Sequence, residues 1–215
     1  MKQKIIDYSL ELFCACVIVL TLVRILFFPV LPLVRSLVCG YALIAVLHEF
    51  EEKRVPGGFY EMVRDILDVR VRPGQEGLSA SFVMVYWIVV LSLSFVFDDV
   101  IVLFVMLIAL GVLEIVGHTA VIFVGRLGRP YSPGLVSAWL MGAMAAYSIV
   151  QINAAGLATG ADYALGTVLM LAGFAVMQRA TLSTTNLTYR EFLGNVRGMV
   201  LGRLRKGQDG PEMRE

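Results

Sequence analysis

Charge is what this sequence has least of. Asp, Glu, Lys and Arg make up 16% of its 215 residues, where soluble domains carry about 25%. Histidine occurs twice and cysteine three times. The net charge of +1 offers no basic surplus for a nucleic-acid backbone, so no nucleic-acid partner is expected. Cys14, Cys16 and Cys39 all lie inside apolar runs, which makes them packing thiols rather than ligands or a disulfide framework. No small-residue cleavage site follows the first apolar run, so it reads as a retained span rather than a signal peptide. Internal repeats, low-complexity tracts and nucleotide, haem or flavin motifs are missing as well. Hydrophobic residues fill the space instead, at 58% and a mean hydropathy of +0.79. Apolar runs of about 20 residues repeat along the chain, the length of a membrane-spanning helix. The sequence therefore predicts an all-α, polytopic membrane helix bundle.

Six spans are predicted, at about Tyr8–Phe28, Leu33–Phe50, Ser79–Phe97, Val100–Val124, Leu135–Ile152 and Ala161–Met177. Glu11 and Arg24, near the ends of the first, are expected to snorkel or pair. The fifth is rich in small residues (Gly142, Ala143, Ala145, Ala146) that permit close helix approach. Lys and Arg cluster at the N-terminus, after span two (Lys53, Arg54, Arg64, Arg70, Arg72), after span four (Arg126, Arg129) and from Arg179 onward. The loops after spans three and five carry only Asp98, Asp99 and Asp162. Six spans put every basic segment on one side, which places both termini in the cytoplasm. Residues 1–182 form the expected bundle, and 183–215 a basic amphipathic tail on the cytoplasmic face. A second amphipathic helix is expected after Pro56-Gly57-Gly58, where Phe59, Val63, Ile66 and Leu67 recur at helical spacing.

Two polar blocks interrupt the apolar runs. His48, Glu51 and Glu52 sit at i, i+3 and i+4 near the end of span two, on one helix face, with Glu49 turned elsewhere toward headgroups. Glu114 and His118 are an i, i+4 pair in span four, with His118 about 9 Å above the span's end at 1.5 Å rise per residue. Both spans run toward the cytoplasm, so both histidines come to one depth. Ionisable groups inside spans are costly and face a partner or a cavity.

Three readings of the cluster stay open. Imidazole and carboxylate from facing helices build metal sites in bundles. His48, Glu52, Glu114 and His118 would complete a shell for a divalent metal such as zinc or iron, with Glu51 as base or bridging ligand. Without a metal, Glu51 or Glu52 as acid and His118 as its proton partner would serve an isomerase or cyclase. The third reading is a polar cluster that joins two helices of a carrier or scaffold. Arg126, Arg129 and Tyr131 follow at the same end, suited to an anionic headgroup, with Tyr131 donating a hydrogen bond into the site. The expected ligand is a membrane lipid or other small hydrophobic, isoprenoid-like molecule. H-E-x-x-H is absent, because position 52 is Glu, and so is E-E-x-x-x-R, because Arg54 stands two residues after Glu52.

His48-Glu-Phe-Glu51-Glu52 followed by Pro56-Gly57-Gly58-Phe59 resembles the HXXEE family of uncharacterised bacterial membrane proteins. The resemblance extends to His118 and to Tyr131-Ser-Pro133-Gly134, so it reaches from span two to span five. It implies a bacterial inner-membrane protein and supplies no activity. Its motif maps onto His48, Glu51 and Glu52; Glu114 enters from spacing alone. In site chemistry, not in sequence, the cluster is similar to the emopamil-binding sterol isomerases, which use membrane-embedded His and Glu to move protons.

Overall fold

Each apolar run becomes a helix, because a helix satisfies its own backbone hydrogen bonds where no water is present. The structure is a computed structural model that describes residues 9–27, 32–124 and 130–208. In chain order the helices are α1 (Ser9–Phe27), α2 (Leu33–Lys53), α3 (Phe59–Leu67), α4 (Glu76–Val96), α5 (Ile101–Val124), α6 (Leu135–Ala154), α7 (Gly160–Leu182) and α8 (Tyr189–Gln208). The described residues contain no strand beyond a single antiparallel bridge, Val71 to Thr185. The chain is thus all-α, and α2, α4, α5, α6 and α7 are each long and apolar enough to cross a membrane. The short amphipathic helix after Pro-Gly-Gly and the helical tail are present as α3 and α8.

Six spans were expected, and among the described residues five helices meet the length and hydropathy of a crossing. The run expected at Tyr8–Phe28 forms α1, a helix of 19 residues. Glu11 pairs with Arg54, which joins the first turn of α1 to the residue just past α2. The two helices therefore run antiparallel. The side chain of Arg24 lies outside those described.

Burial orders the helices. Just over half of the apolar window of α2 is buried (56%), against 11% for α7. So α2 stands at the centre of the bundle and α7 at its rim, with large apolar side chains such as Leu165, Val168 and Val176 facing outward. Tyr41, Phe104, Leu107, Leu110, Met141 and Ile152 fill the core, and Tyr41 meets Phe104 edge-on at 6.1 Å. The small-residue expectation for α6 holds at two positions. A Cβ on Gly142 would stand 2.9 Å from the Ile115 side chain of α5, and Ala145 is buried. Ala143 and Ala146 face outward.

The two ends of the bundle differ in charge. At the acidic end Arg35, in the first turn of α2, reaches Asp98 at 2.6 Å and donates to the Phe95 carbonyl. At the basic end the α3–α4 loop and the α7–α8 linker pair through backbone. Asn186 N donates to the Arg70 carbonyl and Arg72 N to that of Thr184. Asn195 of α8 donates to the Leu67 carbonyl of α3 at 2.9 Å. The loop after α2 and the tail thus share one end, which an even number of crossings between them requires. The His/Glu block of α2 lies at that end.

Candidate functional site

The last turns of α2 and the second half of α5 bring four side chains together. His118 Nε2 stands 3.1 Å from Glu52 Oε1 and 3.8 Å from Glu114 Oε2. His48 Nε2 stands 3.5 Å from the same oxygen of Glu52 and 3.5 Å from that of Glu114. The imidazole rings meet edge to face, 5.0 Å between centroids. One ligand atom each from His48, Glu52 and His118 lies within 4.8 Å of the others, a spacing that could hold a metal ion. The depth match expected from the sequence is therefore met. These groups are sealed: His48 and His118 are each 1% exposed and Glu52 5%. The Glu114 side chain, at 20%, is the open edge.

Glu51 does not join them. It sits one helical step round α2 and reaches the start of α6, where backbone N–H groups have no partner within the helix. Its carboxylate accepts from Tyr131 OH at 2.8 Å, Val136 N at 3.2 Å, Ser137 N at 2.8 Å and the Ser137 hydroxyl. Tyr131 thus donates as expected, to Glu51 rather than into the cluster. Arg126 and Arg129 lie outside the described residues. Glu49, expected to face headgroups, is 1% exposed. It is held by Lys53 at 2.7 Å, because the neighbouring face of α2 is also covered.

Several residues around the site went unread in the sequence. Ser137 Oγ lies 3.0 Å from His48 Nδ1, and Ser132 Oγ 3.3 Å from His118 Nδ1. Both serines are buried. Ser132 belongs to the Tyr-Ser-Pro-Gly block that carries the family resemblance and Ser137 to the first turn of α6, and sequence reasoning assigned neither serine a role at the site. Gly134 caps α6 at φ 91°. A Cβ there would meet His118 Cε1 at 2.5 Å and Glu52 Cγ at 2.8 Å. Phe59 of α3 lies against the His118 ring, 4.5 Å between centroids. Gly58, at φ 90°, makes the turn that delivers it. Next to it, burial and the nearby carboxylates of Glu49, Glu52 and Glu114 push the Tyr60 phenol well above its usual range, so Tyr60 stays a neutral donor.

An apolar cleft lies elsewhere. It measures about 310 Å³ and is lined by Ile108, Val112 and Val116 of α5 with Ile149, Tyr163 and Met170. On α5 these side chains point away from Glu114 and His118, so the cleft does not lead to the cluster.

Residues 39–150, just over half of the chain, match a family model described as a protein of unknown function with HXXEE motif. No curated protein and no solved structure matches.

Proposed function

The chain belongs to the HXXEE family, and from that premise we propose that it is a membrane metalloenzyme whose bundle holds one divalent ion among His48, Glu52, Glu114 and His118. The substrate class is a lipidic or isoprenoid-like molecule of the cytoplasmic leaflet. One observation carries the metal: the spacing of the donors. Ligands at about 2.0–2.1 Å around a tetrahedral ion stand about 3.4 Å apart along each edge. The four nitrogen-to-oxygen distances are 3.1, 3.5, 3.5 and 3.8 Å. The donors of His48, Glu52 and His118 all lie within 4.8 Å of one another, with Glu114 as the outer, fourth ligand. Imidazole with carboxylate suits zinc or iron.

Polar satisfaction points the same way. His118 Nε2 is buried with no hydrogen-bond partner, although a carboxylate oxygen lies 3.1 Å away. Two imidazoles and two carboxylates gathered in an apolar bundle are costly unless a cation or protons complete them. An ion there would polarise a substrate oxygen or activate water. Glu114, the one partly exposed member, is the side from which a substrate reaches the cluster. Arg126 and Arg129 are the groups to receive an anionic headgroup, the Tyr131 hydroxyl being taken by Glu51.

Elemental analysis of the full chain purified in detergent tests this reading. One equivalent of zinc or iron per chain is expected in the wild type, and none in a His48→Ala, His118→Ala double variant. Wild-type protein that carries no metal and takes up neither added zinc nor added iron overturns it.

A further inference from the structure

We infer that Glu51, the middle carboxylate of the motif, is a positioning residue that sets the tautomer of His48 through the Ser137 hydroxyl. H-x-x-E-E then reads as ligand, orienter, ligand. The inference rests on the metal reading above and assigns two residues that it leaves without a role.

The donors around Glu51 decide what it can do. A carboxylate offers about four lone-pair sites. Four donors fill them: Tyr131 OH, Val136 N, Ser137 N and Ser137 Oγ. Nothing remains to bridge a metal or to take a proton as base. Ser137 has a single hydroxyl proton and three acceptors in reach: Glu51, the Gly134 carbonyl at 3.2 Å and His48 Nδ1. The charge-assisted bond to the carboxylate is the strongest of the three. Having given its proton to Glu51, the oxygen can only accept from His48, so Nδ1 carries the ring proton. The lone pair then falls on Nε2, the atom that faces Glu52 and Glu114 at 3.5 Å.

His118 has the same arrangement without a carboxylate. Ser132 gives its proton to the His118 carbonyl at 3.3 Å and accepts from Nδ1–H at 3.3 Å. Both imidazoles are thereby fixed with Nε2 inward. Both serines come from the segment that starts α6, so one turn of chain orients the ligands of two other helices. Partners that orient metal-bound imidazoles are commonly worth 10–100-fold in metal affinity.

The test uses the full chain in detergent, with zinc binding measured by chelator competition and cobalt(II) as a spectroscopic probe. Ser137→Ala keeps the backbone and tyrosine bonds to Glu51, so it isolates the relay from the helix cap. It is expected to weaken zinc binding 10–100-fold and to shift the visible bands of the cobalt(II) form. The thermal midpoint of the metal-free protein should fall only modestly, since the backbone and tyrosine bonds to Glu51 remain, and Ser137→Thr should restore wild-type affinity. Glu51→Gln should weaken binding similarly, and the double variant no further than either single, since both cut one chain of hydrogen bonds. Wild-type zinc affinity and wild-type cobalt bands in Ser137→Ala overturn the positioning role while leaving the metal site standing. Wild-type protein that binds neither zinc nor cobalt(II) overturns both.

Discussion

Gly134 shows how closely the site is built. Its φ of 91° lies in the left-handed region, where an added Cβ costs about 1–2 kcal/mol from backbone sterics alone. The same Cβ would strike His118 Cε1 at 2.5 Å and Glu52 Cγ at 2.8 Å. Both neighbours are buried, so neither can swing clear. Gly134→Ala is therefore expected to lower the thermal midpoint of the metal-free protein and to abolish stoichiometric metal, while alanine at exposed Gly74 (also at positive φ, with open space around it) changes only the midpoint. Metal content and thermal unfolding of the two variants check this. Residue identities at the site were legible: His48, Glu52, Glu114 and His118 converge as their helical spacing indicated. Glu51 was not, because a spacing of i+3 puts a side chain within reach of two neighbours. Only the position of α6 decides which one it takes.

Among the elements, α3 does more than lie on the surface. Met62 and Leu67 are buried, and Phe59, Val63 and Ile66 are half-buried, as the amphipathic pattern implied. The sequence did not indicate that the first residue of this helix covers His118. Phe59→Ala removes that ring and is expected to destabilise by on the order of 1–2 kcal/mol, less than the ~3–5 kcal/mol of a fully buried phenylalanine. It should also open the cluster to water. With both histidines 1% exposed, the metal-free wild type should resist diethyl pyrocarbonate, and Phe59→Ala should react at His118. Unchanged protection in the variant would show that α3 is not the cover. The tail helix α8 repeats the amphipathic design. Phe192, Val196 and Met199 turn partly inward, and Leu193, Val200, Arg190 and Arg197 face out. Its attachment to α3 through Asn195 has no local sequence signal.

For the whole molecule, the ends of the helices define two faces. The pairing of the α3–α4 loop with the α7–α8 linker puts both on one of them. The antiparallel contact of Glu11 with Arg54 brings the start of α1 to that face as well. The charge asymmetry of the sequence predicts that this face is the cytoplasmic one. Single cysteines can be introduced at loop and N-terminal positions in a background whose three native cysteines are replaced by alanine. Cysteines at Asp99 and Leu157 should be labelled by an impermeant maleimide added outside intact cells. Those at Pro73, Asn186 and Lys2 should be labelled only after lysis. Labelling of the Lys2 position from outside would reduce the crossings to five and contradict the contact of Glu11 with Arg54.

The sequence by itself determined the helical spans, the charge of the two ends, the amphipathic helices and the level of the two polar blocks. All of these follow from composition and periodicity along one chain, because lipid forces apolar runs into helices and puts a cost on buried charge. Only the tertiary structure decided which helix stands at the centre and which carboxylates face the imidazoles. It alone decided that Ser132, Ser137, Gly134 and Phe59 complete the site. Those outcomes depend on helices far apart in sequence meeting at particular faces. Periodicity fixes the direction of a side chain relative to its own helix axis, not the neighbour that the direction meets.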